Sequence, residues 1–92
     1  MAVYLITYDL NREVIRPSIT KTIKAFPRWA KLSESSYAVY TSLAVNQVFN
    51  QLKPLIDGND NLYVITLRRP YTGFGPPDVN EWLEEELPAA YA

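Results

Sequence analysis

The amino-acid sequence predicts an α+β domain in which two helices alternate with four strands. Three segments rich in β-branched and aromatic residues, "AVYLITY", "SYAVYT" and "NLYVITL", have the composition of strands. Two other segments place apolar residues three and four positions apart, as on one side of a helix. A chain of 92 residues has room for one hydrophobic core, so we expect a single domain.

The first half of the chain predicts a strand, a helix and a hairpin. In residues 2–8 apolar side chains occupy both alternations, which is typical of a central strand covered on both faces. Pro17 fits the first position of a helix that continues to residue 26. Two short strands at residues 29–33 and 36–41 follow, and the turn between them makes them a hairpin.

The second half predicts another helix and a last strand. Apolar residues recur at helical spacing from residue 44, and Gly58 in "DGND" is expected to end this helix. Residues 61–67 form the next two-faced strand. The order β-α-β-β-α-β is that of the ferredoxin-like fold, with an antiparallel sheet that carries both helices on one face. We assign this domain to residues 1–69.

Residues 70–92 read as a Pro/Gly-rich linker followed by a short C-terminal helix. Asp78 and Glu81 have the spacing of a capping box at its start. The first and last strands leave apolar residues on the sheet face away from the two main helices, and an exposed apolar face of this size would aggregate. Either this tail, packed on its own or on a partner's sheet, or a second protomer must therefore cover it.

The composition excludes several kinds of chemistry. The chain contains no cysteine and no histidine, which removes thiol redox chemistry, thiolate or imidazole metal sites and histidine-dependent nucleophilic catalysis. An enzyme of this composition must use carboxylates, hydroxyls, lysine, tyrosine or an oxygen-bound cation. No apolar run approaches the roughly 20 residues of a membrane span, and the N-terminus lacks signal-peptide features, so we expect a cytoplasmic protein with no membrane partner.

Charge is divided unevenly along the chain. Residues 1–56 contain seven Lys/Arg and three Asp/Glu, which is +4, whereas residues 57–92 contain two and seven, which is −5. The basic half could bind a nucleic acid through its phosphates. The alternative is that both halves are simply solvated surfaces that keep the protein soluble.

The segments "YLITYDL", "SESSYAVYT" and "LYVITL", together with the basic first helix, resemble the CRISPR-associated Cas-two proteins. These are small ferredoxin-like dimers, some acting as metal-dependent nucleases and others as non-catalytic partners of the spacer integrase; the virulence-associated D ribonucleases share their fold. "YLITYDLN", "PLIDGNDNLYVITL" and "GFG…EWL" are also similar to short bacterial proteins labelled SinR-like. The likeness covers nearly the whole chain.

This resemblance implies a metal site at Asp9. In the Cas-two family an aspartate at this position is the proposed ligand of Mg²⁺ or Mn²⁺, and its two copies face each other across the dimer axis. Ser36 matches a serine near those aspartates and is a second catalytic candidate. Two carboxylates related by a two-fold axis supply opposed oxygen ligands, which a single one cannot. The alternative is that Asp9, followed by Asn11, only caps a turn.

Five further residues near this strand end or on the first helix are candidates for contacts with phosphate groups. Guanidinium groups bind phosphate well, and tyrosine and lysine side chains can approach it. The set is Tyr8, Arg12, Arg16, Lys21 and Lys24. Two functions remain open: a homodimeric, metal-dependent phosphodiesterase acting on RNA or DNA, and a non-catalytic dimeric module that binds nucleic acid or protein.

Overall fold

A computed structural model confirms the α+β class and the ferredoxin-like arrangement. Four strands form one antiparallel sheet in the order β2-β3-β1-β4. The strands are β1 (Ala2–Asp9), β2 (Arg28–Ser33), β3 (Ser36–Thr41) and β4 (Asn61–Thr66). The helices are α1 (Arg16–Lys24), α2 (Val45–Leu52) and α3 (Pro77–Glu86). The central position of β1 explains why its side chains are apolar on both alternations.

The structure describes residues 1–89, so residues 90–92, the end of the predicted tail segment, lie outside the described residues. None of the helices in the described part of the chain is both long and apolar enough to cross a membrane.

The main core lies between the sheet and helices α1 and α2. Tyr4, Ile6 and Tyr8 alternate along β1 toward these helices and are buried. They meet the apolar sides of α1 and α2, whose inward residues recur three or four positions apart. The other members of this core are Ile19, Ile23, Phe26, Tyr37, Val39, Val48, Leu52 and Leu62.

The opposite face of the sheet is covered over only part of its width. Cross-strand register places Val3 beside Tyr40, and Leu5 beside Ala38, on this second face. Val3 and Ala38 are buried, although α1 and α2 lie on the other side. The cover comes from α3, which contacts β2 and is tied to it by an ion pair of 2.6 Å between Arg28 Nη1 and Glu86 Oε1. In this chain the tail therefore packs on its own sheet.

The other part of the second face remains exposed. Tyr63 and Ile65 on β4 retain 64% and 49% of their accessible surface. Register places them beside Thr7 and Leu5 of β1, which are half-buried. We call these four residues, Leu5, Thr7, Tyr63 and Ile65, the open sheet half. It is the apolar region that the third helix leaves uncovered.

Two predicted helix ends were wrong. Helix α2 ends at Leu52 and continues as a 3₁₀ turn, Lys53–Leu55, which contains Pro54. Proline lacks the amide hydrogen that an α-helix needs, so it ends the helix before Gly58 is reached. Helix α3 begins at Pro77, so Asp78 lies inside the helix, and no side chain caps its first turn. The predicted capping box is therefore not formed.

The tail's contribution can be tested at Leu87, which is 6% exposed although it follows the last helical residue. We expect Leu87→Ala to lower the free energy of unfolding by about 2 kcal/mol, because it removes buried apolar surface and leaves a cavity. Urea denaturation measures this. Val14→Ala, at a side chain that is 74% exposed, is the control and should change stability by less than about 0.5 kcal/mol. Equal stability of both variants would mean that the tail does not stabilise the domain.

Candidate functional site

Asp9 lies at the end of the central strand, where β1 leaves the sheet. Alternation along the strand puts it on the same face as Leu5 and Thr7, next to the open sheet half. The residue is exposed, and its carboxylate makes no hydrogen bond or ion pair with any other residue of the described range 1–89. Its charge is therefore directed to solvent beside an apolar surface.

Two polar neighbours share this face. Asn61 is directly opposite Asp9 in β4, a pairing that holds side-chain Cβ atoms about 4.5–5.5 Å apart. Ser36 pairs with Thr7, and their hydroxyl oxygens are 3.1 Å apart. Ser36 is thus a diagonal neighbour of Asp9, at a typical distance of about 7–8 Å. The sheet register therefore brings Asp9 and Ser36 to one place.

Asn61 was not among the residues predicted from the sequence. The amide oxygen of asparagine is a ligand that Mg²⁺ and Ca²⁺ accept, so its position opposite Asp9 adds a neutral oxygen donor to the site. Asn61 could be found only from the pairing of the first and last strands, because it is far from Asp9 in sequence and lies opposite it only in the sheet register.

The turn after Asp9 is held by a different aspartate. Asp60 accepts hydrogen bonds of 2.7 Å from the backbone amides of Asn11 and Asp57, one on each carboxylate oxygen. These two bonds lower the pKa of Asp60 below its ordinary value. Arg12 adds an ion pair of 2.8 Å to Asp57. The turn-capping role that was the alternative for Asp9 thus belongs to Asp60.

Tyr8 and Arg16 hold the other side of this strand end. Tyr8 is 5% exposed on the helix-covered face, and its hydroxyl donates to the Glu34 carbonyl. Burial is the main cause that raises the pKa of Tyr8. The Arg16 guanidinium lies 5.6 Å from the Tyr8 ring centroid and donates to Glu34 O and Ser35 Oγ in the β2–β3 turn. Both candidates for phosphate contact are thus engaged in packing the hairpin onto β1.

Arg16 is also paired with an acid. Its Nε atom lies 2.6 Å from Glu13 Oε2, and Nη2 donates to Oε1 of the same carboxylate. The hydrogen bonds between these two side chains lower the pKa of Glu13 and raise the pKa of Arg16. A two-point pair of this kind holds the guanidinium in one orientation.

The basic half of the chain is largely neutralised. Four of its seven cations form ion pairs, two of them with acids of the acidic half: Arg12–Asp57, Arg16–Glu13, Arg28–Glu86 and Lys31–Glu34. Within residues 1–89, Lys21, Lys24 and Lys53 have no carboxylate within 4.0 Å. Of the predicted binding candidates, Lys21 and Lys24 on α1 are therefore the cations with free charge.

One protomer offers few ligands for a cation. Among the described residues, no three Asp or Glu side chains come together in a way that could hold a metal ion. Asp57 and Asp60, the acids that follow α2, are occupied by Arg12 and by backbone amides. Asp9 and Asn61 alone provide one charge and one neutral oxygen, fewer than the ligand sets that usually bind Mg²⁺.

The role of Asp60 gives a pH-dependent prediction. Because the folded-state pKa of Asp60 is lowered, its stabilisation is present above the unfolded pKa of about 3.9 and is lost as pH falls through the folded value. We expect wild type to melt at a higher temperature than Asp60→Asn at pH 7, and the difference to shrink below about pH 4. Glu81→Gln, on an exposed α3 carboxylate, is the control. A difference that stays constant with pH would contradict this account.

Comparison with known proteins adds information on the fold. No protein-family model and no curated protein matches the sequence. Among solved structures, the chain is similar to the crystal structure of a hypothetical protein from Thermus thermophilus, with a TM-score of 0.61. The match covers 82% of this chain and 94% of that chain. The two sequences are 21% identical, so the likeness establishes a shared fold alone.

Proposed function

We propose that the chain is a cytoplasmic, homodimeric phosphodiesterase of the Cas-two and SinR-like type that cleaves RNA or DNA with Mg²⁺ or Mn²⁺. The observation that carries this proposal is the state of Asp9. Its carboxylate is exposed at the end of the central strand and has no partner in residues 1–89, while another aspartate caps the adjacent turn. A charge that the fold does not use for its own stability is available for binding.

Dimerisation supplies what one protomer lacks. The open sheet half is an apolar surface next to Asp9, and a second copy would remove it from water. A two-fold axis close to the sheet end brings two Asp9 carboxylates and two Asn61 amides to one place. That set has two negative charges and four side chains with oxygen ligands, which suits a hard divalent cation.

The chemistry divides between the ion and the side chains. A bound Mg²⁺ polarises a phosphoryl oxygen and lowers the pKa of its water. Asp9 provides the negative charge for the ion, and Asn61 provides neutral oxygen. The hydroxyls of Ser36 and Thr7, whose oxygens are 3.1 Å apart, share one hydrogen bond, which leaves one hydroxyl hydrogen to donate to a phosphate oxygen beside the carboxylate. Lys21 and Lys24 attract the nucleic-acid backbone from the α1 surface.

A non-catalytic dimeric module that binds nucleic acid or protein is the second candidate. It is favoured by the pairing of most basic residues with acids and by the presence of a single free carboxylate at the site. In that case the fold keeps the interface but does not cleave. The two candidates differ in what removal of the Asp9 charge does.

The Asp9→Asn substitution distinguishes the phosphodiesterase from the non-catalytic module. If Asp9 is a metal ligand, the substitution should abolish divalent-dependent cleavage of labelled single-stranded RNA and DNA, because asparagine keeps the size but loses the charge that holds the ion. Mg²⁺ should raise the melting temperature of wild type and not that of the variant. Without metal, the variant should be equally or slightly more stable, since two facing carboxylates repel each other.

The matched control for this experiment is Glu81→Gln, which removes an exposed carboxylate far along the chain on α3. It should cleave at the wild-type rate. Cleavage by the Asp9→Asn protein, or no cleavage by wild type with either Mg²⁺ or Mn²⁺, would reject the phosphodiesterase and leave the binding module.

The dimer is tested at the open sheet half. We expect wild type to be a dimer at micromolar concentration and Ile65→Glu to be a monomer, because the new charge would have to be buried in the interface. Size-exclusion chromatography with light scattering measures both. Val14→Glu, at another exposed aliphatic residue, should remain a dimer. A monomeric wild type at high protein concentration would remove the basis for a paired-Asp9 site.

A further inference from the structure

The segment between β4 and α3 presents a fully exposed aromatic residue. Phe74 retains all of its accessible surface, whereas no other large apolar side chain in residues 1–89 is more than 74% exposed. Gly73 and Gly75 flank it, so no neighbouring side chain in the sequence shields its ring. A single exposed apolar residue is ordinary in a protein surface. Whether Phe74 has a role therefore depends on what lies beside it.

Residues 69–76, which we call the strap, run along one side of α3. The Tyr71 hydroxyl donates a hydrogen bond of 2.7 Å to the Glu84 carboxylate, near the C-terminal end of the helix. Asn80 Nδ2 donates one of 3.1 Å to the Gly75 carbonyl, near the N-terminal end. The strap is therefore antiparallel to α3, and these two contacts hold it on both sides of Phe74.

The strap lies on the side of α3 that is directed toward the open sheet half. Asn80 and Glu84, which hold it, are one helical turn apart. Trp82 is about 200° around the helix from Asn80 and borders β2 beside Ala30. Since β2 is the outermost strand in the order β2-β3-β1-β4, the strap side of α3 is directed toward β1 and β4. Phe74 is thus on the second face of the sheet, next to the open sheet half.

The open sheet half is too small to form a stable interface alone. Its four residues are few against the roughly 20–30 residues that each partner contributes to a stable protein–protein interface. The strap extends this apolar surface with Phe74 and with Tyr71, which is 39% exposed. The combined surface has a flat region on the sheet and a projecting ring beside it. In an isologous dimer, a group that projects away from the two-fold axis contacts a different part of the other copy.

We propose that Phe74 of each protomer packs on the open sheet half of a second copy, against the Tyr63 and Ile65 side chains of that copy. The proposal rests on the homodimer of the proposed function and names the residue that completes its interface. Two-fold symmetry forms the contact twice. Tyr63 is a diagonal neighbour of Asp9 on this face, so the ring from the second copy also forms an apolar wall near that carboxylate.

Substitution of Phe74 tests the energy of this contact. We expect Phe74→Ser to raise the dissociation constant of the dimer roughly 100-fold or more, because two rings in each dimer lose their buried contacts. Sedimentation velocity over a range of protein concentrations measures this constant. Phe74→Leu keeps an apolar side chain and should weaken the dimer far less. Val14→Ser, at an exposed aliphatic residue in the turn before α1, is the matched control and should dimerise as wild type does.

Cross-linking tests the position of the contact, because the chain contains no cysteine of its own. A Phe74→Cys protein is mixed with an Ile65→Cys protein that carries a mass tag, and the mixture is treated with a short bismaleimide. We expect a covalent pair of one tagged and one untagged chain, which only a contact between two copies can give. Val14→Cys in place of Phe74→Cys should give far less of this product.

Two results would overturn the contact and leave the dimer in place. They are the same dissociation constant in wild type and Phe74→Ser, and equal cross-linking of Phe74→Cys and Val14→Cys to Ile65→Cys. Phe74-dependent binding of phosphatidylcholine vesicles by a monomeric wild type would overturn both the contact and the dimer. If the cross-link forms but wild type cleaves no nucleic acid, the phosphodiesterase is rejected and the contact stands.

Discussion

A four-stranded sheet has two apolar faces, and this chain has three helices with which to cover them. Helices α1 and α2 cover the centre of one face, and α3 covers the β2 side of the other. The remaining region, around Tyr63 and Ile65, stays exposed because no further element reaches it within residues 1–89. A second copy would add stability by covering this exposed region, which lies beside Asp9. In the proposed dimer, the interface and the metal site would therefore have one structural cause.

The strand end that carries Asp9 is rigid because two groups of contacts hold it. On one side Arg16 and Tyr8 fasten the β2–β3 turn, and on the other Asp60 and Arg12 fasten the loop after α2. None of these contacts uses the Asp9 carboxylate. The backbone at Asp9 is thus fixed while its carboxylate is not neutralised, and a fixed backbone reduces the entropy that the chain loses when the side chain binds an ion.

Much of the fold could be predicted because hydrophobic period reports burial directly: β1 is apolar on both alternations and proved to be central. Helix ends were less predictable, since Pro54 acts before Gly58 and Pro77 displaces the expected cap. Of the candidate site, the sequence pointed to Asp9 and Ser36, which the register places as diagonal neighbours on one face, and their catalytic roles stay a prediction. The position of Asn61 beside Asp9 follows from the register between β1 and β4. The pairing of Arg12 with Asp57, 45 positions away, follows from which loops the fold brings together. Sequence spacing does not contain that information.

In the dimer that we propose, two Asp9 carboxylates share one divalent cation. The stoichiometry of Mn²⁺ binding, measured by isothermal titration calorimetry and by loss of the free-ion electron paramagnetic resonance signal, tests it most directly. We expect one ion for two chains in wild type, weaker binding in Asn61→Ala and no binding in Asp9→Asn. One ion per chain, or the same binding in wild type and Asp9→Asn, would contradict it.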